Sequence, residues 1–119
     1  MKPVVEVKKL QSEKIIKAYI PMTETAYYIL LSLSCPRHGY GIIKFVQELT
    51  HGRILLGSGT VYGTLTKMQK YGIIMVFADE QKKTIYQITP LGIQLIKAEI
   101  ARVKKLYQDT VAQEGGFDY

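Results

Sequence analysis

Gly57-Ser58-Gly59-Thr60-Val61-Tyr62-Gly63-Thr64-Leu65-Thr66-Lys67-Met68-Gln69-Lys70-Tyr71-Gly72 is the stretch on which the reading of this chain turns. Val61, Leu65 and Met68 recur at i, i+4 and i+7, the spacing of one apolar helix face. Gly57 breaks what precedes, Ser58 is a candidate N-cap, and Gly72 supplies the stop. On a wheel of 100° per residue Thr60, Gly63, Thr66, Lys67 and Lys70 point away from that face, with Tyr62 at its flank. The outer surface is therefore small, hydroxylated and basic.

Working towards the N-terminus, two further helices are expected. Thr23 caps a run in which Ala26, Ile29, Leu30 and Leu33 share a face, and Pro36 ends it. After the turn Pro36-Arg37-His38-Gly39, a second stripe of Ile42, Ile43, Val46 and Leu49 stops at Thr50-His51-Gly52. Residues 1–21 are ambiguous: Val4, Val5 and Val7 favour strand, whereas Leu10, Ile15, Ile16 and Tyr19 are loosely helical. That segment is taken as a basic arm with at most a short helix.

Towards the C-terminus, Ile73 to Ala78 and Thr84 to Ile88 are β-rich runs around the polar tip Asp79-Glu80-Gln81-Lys82-Lys83, a hairpin pattern. Thr89 caps a last helix with Pro90 at its first position, running to about Val111. Its Ile93, Ile96, Ile100, Val103, Tyr107 and Thr110 form a heptad-like seam, and Leu91, Leu95 and Leu106 form a second strip beside it. A helix with two strips buries one against its own domain and offers the other to a partner, so the seam is assigned to homodimerisation.

Helix, helix, helix, hairpin, helix is the order of a winged helix-turn-helix: mainly α, with a small β-hairpin and an appended C-terminal dimerisation helix. The expected division is an arm over 1–21, the winged unit over 22–88 and the dimerisation helix and tail over 89–119. In such a unit the third helix packs inward through one face and presents the other to the DNA major groove. Thr60, Tyr62, Gly63, Thr66, Lys67 and Lys70 are the candidate DNA contacts on it, and Lys82 and Lys83 those of the wing.

Composition agrees with a single domain that handles a polyanion. The 119 residues are 47% hydrophobic and 22% charged with a net charge of +6, a balance too apolar for disorder. Residues 1–21 carry five Lys against two Glu, residues 22–88 seven Lys/Arg against four Asp/Glu, and residues 89–119 four against four. The basic excess thus belongs to the parts expected to meet DNA. The single cysteine, Cys35, forms no internal bridge and falls in an apolar run, where a small buried side chain is expected. No apolar run reaches the length of a membrane span and no export signal is visible, which points to the cytoplasm.

Enzymatic patterns are missing. His38 and His51 sit at helix boundaries without metal-ligand spacing, and read as turn or cap residues. Asp79 and Glu80 are adjacent carboxylates on a solvated tip, and Gly57-Ser58-Gly59 lacks the Lys-Ser/Thr ending of a nucleotide loop. No cofactor is expected.

Taken jointly, His38-Gly39-Tyr40-Gly41-Ile42, Gly59-Thr60-Val61-Tyr62, Tyr71-Gly72-Ile73-Ile74 and Tyr86-Gln87-Ile88-Thr89-Pro90-Leu91-Gly92 resemble the PadR family of transcriptional regulators. The resemblance spans residues 23 to about 107. It implies a homodimeric winged-helix regulator, usually a repressor of double-stranded DNA promoters, with Tyr40, Thr60, Tyr62 and Lys67 near the duplex. It also implies release by small aromatic or lipophilic effectors bound between protomers. Two features depart from the pattern: lysines replace the arginine-rich wing tip, and the N-terminal arm is long. The alternative is a winged helix that docks a protein partner instead of DNA.

Overall fold

The computed structural model describes residues 4–80 and 83–118, ordered as α1 (Val4–Tyr19), α2 (Glu24–Ser32), β1 (Arg37–His38), α3 (Gly39–Leu49), α4 (Ser58–Lys70), β2 (Ile74–Glu80), β3 (Lys83–Ile88) and α5 (Pro90–Glu114), closed by a 3-10 turn at Gly115–Phe117. The core joins α2 (Ile29, Leu30, Leu33), α3 (Ile42, Val46), α4 (Val61, Leu65, Met68), Ile73, Ile74 and Leu95 of α5, all at most 2% exposed. Most of the stripes expected for these helices are buried, but Ala26 and Ile43 are half-buried and Leu49, at the end of α3, is 49% exposed. Each helix is the amphipathic solution to a shared core: none of α2 to α4 exceeds 13 residues, and helices that short owe their stability to packing.

Caps set the boundaries. The Thr23 hydroxyl accepts the Ala26 N–H at 3.1 Å, and the Thr89 hydroxyl accepts that of Gly92 at 3.1 Å. The histidines sit at the two ends of α3: His38 is its N-cap, Nδ1 accepting the Gly41 N–H at 3.0 Å, and His51, just past the Thr50 C-cap, takes a left-handed conformation (φ 51). After α4, Gly72 adopts φ +74 and its N–H donates to the Gln69 carbonyl, while the Ile73 N–H donates to that of Met68 at 2.9 Å, a Schellman ending. Ser58, in contrast, is not a cap. Gly57 holds the N-cap position without a side-chain bond and Ser58 begins the helix.

The sheet departs from a bare hairpin. Its strand order is β1-β3-β2, all antiparallel, because Arg37 and His38 pair with Tyr86 and Ile85. A two-residue strand leaves no periodicity to read. The β2–β3 register shifts between Val76 and Ala78, a bulge at Phe77.

Three other expectations are corrected. Residues of the basic arm form a 16-residue helix, α1, which packs along α5; its loose pattern is stabilised by that tertiary contact. Cys35 is exposed, because α2 ends at Ser32 and the cysteine falls in the following turn, past the buried face. The last helix reaches Glu114, since no breaker precedes the Gly115-Gly116 pair.

On α5 the buried positions are Gly92, Leu95 and Glu99. Of the expected dimerisation seam, Ile96, Ile100 and Val103 are half-buried, Ile93 is 40% exposed and Tyr107 69% exposed. Glu99 accepts the Met22 N–H at 2.5 Å and the Arg102 Nε–H, which ties the α1–α2 junction to α5. The Arg102 guanidinium is held charged above its ordinary range, first by that hydrogen bond.

Candidate nucleic-acid interface

α4 meets the core through Val61, Leu65 and Met68, so its orientation is set by burial on α2 and α3. The opposite face stays open: Thr60, Gly63, Thr66, Lys67 and Lys70 are all exposed. A Cβ built on Gly59 or Gly63 meets nothing within 4 Å, so the backbone there is approachable from outside. This is the arrangement the wheel called for, now fixed in three dimensions.

Individual side chains carry more detail. The Thr66 hydroxyl donates to the Tyr62 carbonyl at 2.8 Å, and the residue is exposed. The Lys67 ammonium lies 5.6 Å from the Tyr19 ring centroid, leaning back towards α1, and that of Lys70 lies 6.0 Å from the Tyr71 ring. Burial raises the Tyr19 phenol above its ordinary value, with Tyr71 adding to the shift, so it remains a neutral donor.

Tyr62 is half structural. Its ring crosses Gly39 so closely that a Cβ on Gly39 would stand 2.5 Å from the phenol oxygen, yet 46% of the residue is exposed. Burial raises the Tyr86 phenol above its ordinary value, with Tyr62 the next contributor. Tyr40 is 69% exposed and stacks on His38, with ring centroids 6.4 Å apart and planes 12° from parallel. Lys83 is exposed at the start of β3; Lys82 lies outside the described residues.

The structure also adds Lys44 and Gln47, which the motif reading passed over: with Tyr40 and His51 they surround a depression of about 650 Å³ on α3. Their spacing of four, three and four was the available signal, hidden because polar residues carry no weight in a search for apolar stripes. Arg37 is not part of the open surface: its Nε donates to the Ser32 carbonyl at 2.6 Å and its guanidinium sits 4.1 Å from the Phe45 ring centroid. Among the described residues no cluster of three or more His, Cys, Asp or Glu could hold a metal ion, and no helix is long and apolar enough to cross a membrane.

Three packed helices, a three-stranded wing and an exposed outer face on α4 define a winged helix-turn-helix of the DNA-binding class. The profile of the Transcriptional regulator PadR-like family matches residues 28–98, more than half of the chain, and the protein belongs to that family, one of transcriptional regulators and not of enzymes. Over 69 residues it is 29% identical to the Escherichia coli transcriptional regulator YqjI; the match covers 58% of this chain and 33% of YqjI, so the chain spans about a third of that relative. A Clostridium thermocellum transcriptional regulator superposes with a TM-score of 0.60 at 24% identity, covering 89% of this chain and 96% of the other. Bordetella bronchiseptica BpsR, described in work on regulation of its DNA binding by 6-hydroxynicotinic acid, gives 0.62 at 16% identity, covering 92% and 80%.

Proposed function

We propose that this chain is a sequence-specific transcriptional repressor that binds a palindromic operator as a homodimer and releases it when a small molecule binds. The observation that carries the reading is α4: an inner face buried in the core, and an outer face on which Thr60, Gly63, Thr66, Lys67 and Lys70 are all exposed, α1 bordering it on the side of Lys67. Backbone approach at Gly63 and donors on Thr60, Tyr62 and Lys67 suit base edges, while Tyr40, Lys70, Lys82 and Lys83 suit phosphates. The dimer reading is supported by apolar surface on the paired helices: Leu10 of α1, and Ile93, Leu106, Tyr107 and Val111 of α5, are all at least 40% exposed. On α5 the partner-facing seam is Ile93, Ile96, Ile100, Val103 and Tyr107. A two-fold dimer sets its two reading helices about 34 Å apart, one turn of DNA.

Selection from a randomised duplex pool at about 150 mM salt, where weak electrostatic binding is largely suppressed, tests the reading. An inverted repeat with half-sites about one turn apart is the expected result; retention without a motif would replace the repressor reading with a nonspecific binder. Two substitutions dissect the surface. Lys82→Ala is expected to weaken binding evenly across sequences and to lower the salt slope by about 1, whereas Lys67→Ala also relaxes preference at one base position. Gly63→Leu should separate folding from reading. Nothing crowds that position and glycine is a poor helix former, so the variant is expected to melt higher, by roughly 0.5–1 kcal/mol of stability, while its operator affinity falls about 30-fold in a mobility-shift titration.

A protein-docking role has one observation of its own: edge strand β2 exposes Met75, Val76 and Phe77. Binding to a protein that bulk DNA does not compete away would favour that alternative.

A further inference from the structure

α1 ends at Tyr19, beside the C-terminal end of α4, and a cavity of about 780 Å³ opens between the two helices there. Lys67 and Tyr71 line it from α4, spaced i and i+4 and so on one side of that helix. The Tyr19 ring meets both. It stands edge to face with Tyr71, ring centroids 6.0 Å apart, and carries the Lys67 ammonium 5.6 Å from its own centroid. Tyr71 is the C-cap of α4, so the helix itself braces the ring that holds its lysine. No carboxylate lines the cavity, and among the described residues Lys67 makes no ion pair, which leaves the ring as the group that meets its ammonium. Tyr19 is fixed in turn from behind: α1 packs along α5, and the Met22 N–H, three residues on, donates to the buried Glu99 carboxylate.

A lysine has a long flexible stem and gives up much rotamer freedom when it settles on one base edge; an ammonium already seated over a ring has given up part of it beforehand. A π face also attracts a cation without cancelling its charge, as a carboxylate would, so the ammonium stays available to DNA. We propose that Tyr19 is a positioning residue for DNA reading: its ring, braced by Tyr71, holds Lys67 at one place on the outer face of α4, where the ammonium discriminates between bases instead of roaming along phosphates. The inference rests on the repressor reading and deepens it, giving α1 a part in specificity. Because α5 carries α1, one aromatic ring links the reading helix to the helix assigned to the dimer. Removing the ring leaves the number of cations unchanged, and with it the salt dependence of binding.

Nuclear magnetic resonance on the whole chain with isotope-labelled lysine, without DNA, reads the contact itself. The Lys67 ε-methylene protons, assigned by their loss in Lys67→Ala, are expected upfield of those of lysines remote from any ring. The shift should persist in Tyr19→Phe and vanish in Tyr19→Leu. An unshifted Lys67 signal in the wild type, or a shift that survives Tyr19→Leu, overturns the proposal. Should Tyr19→Leu melt like an unfolded chain, Tyr19→Met takes its place, with the same loss expected and a surviving shift again decisive against it. A second arm compares the selected operator with random duplex in mobility-shift titrations. Tyr19→Leu is expected to narrow the preference for operator about fivefold at unchanged salt slope, the scale of an exposed cation–π contact, and Tyr19→Phe to retain it. On a Lys67→Ala background Tyr19→Leu should cost nothing further, since the group it holds is gone; the same fivefold loss there would make Tyr19 purely structural and overturn the role. A shifted Lys67 signal in a chain that selects no operator overturns the repressor reading and the role together, whereas an unshifted signal beside a selected operator overturns the role alone.

Discussion

Gly92→Ala is expected to lower the melting temperature by roughly 10–15 °C, equivalent to about 3 kcal/mol in a domain of this size. Gly92 is buried one turn into α5, where the helix leaves the sheet. An added Cβ would overlap the Ile73 backbone carbonyl oxygen and approach Ile88 Cγ1 to 2.6 Å. Backbone cannot rotate away as a flexible side chain can, so α5 must lift. Lifting strains a knot of hydrogen bonds at one point: the Thr89 hydroxyl is directed between the Gly72 and Ile73 carbonyls at 2.6 and 2.9 Å, and the Thr89 N–H donates to the Ile73 carbonyl at 3.1 Å. Thermal melts of Gly92→Ala beside Gly63→Ala make the check, because a Cβ at Gly63 meets nothing and the second variant should gain stability. A Gly92→Ala protein that melts like the wild type would show that α5 is free to shift at its root.

Glu99→Ala carries the second large effect. Glu99 has no exposed surface and its carboxylate accepts both the Met22 N–H and the Arg102 Nε–H. Truncation leaves the Met22 N–H buried without a partner and removes packing volume, for an expected loss of about 3 kcal/mol. The urea midpoint should fall with the slope unchanged, since the surface exposed on unfolding barely alters. Glu99→Gln keeps an acceptor for Met22 and loses the charge, so about 1 kcal/mol is expected there. Equal losses for the two variants would mean that the Arg102 pair and not the Met22 bond holds the junction. The same contact ties α5 to Met22, which lines the cavity between α1 and α4.

Much of this molecule was legible because burial imposes a period. Val61, Leu65 and Met68 mark the inner face of α4 in sequence and are at most 1% exposed in the fold. Thr23, Thr89, Pro90 and Gly72 announce helix ends because each satisfies a local backbone need. The outer face of α4 follows by subtraction, so Thr60, Gly63, Thr66, Lys67 and Lys70 were found as what remains after the core is assigned. Local rules failed where the stabilising partner is remote in sequence. α1 has only a loose stripe and is a helix because it lies on α5. β1 exists because Arg37 and His38 find Tyr86 and Ile85 some 48 residues away in sequence. Cys35 looked buried within an apolar run, and one missed helix end turned it outward.

By itself, then, the amino-acid sequence determined the winged helix-turn-helix class, the Thr23 and Thr89 caps, the inner and outer faces of α4 and the family to which the chain belongs. These depend on neighbours within a few residues, and helix periodicity, turn chemistry and charge all act at that range. Only the tertiary structure decided that Glu99 is a buried clamp, that Tyr62 is braced against Gly39, that Lys67 leans towards Tyr19 and that a cavity separates α1 from α4. Each of those depends on where a distant segment comes to rest, and a pattern along one helix records which side faces inward without recording what it faces.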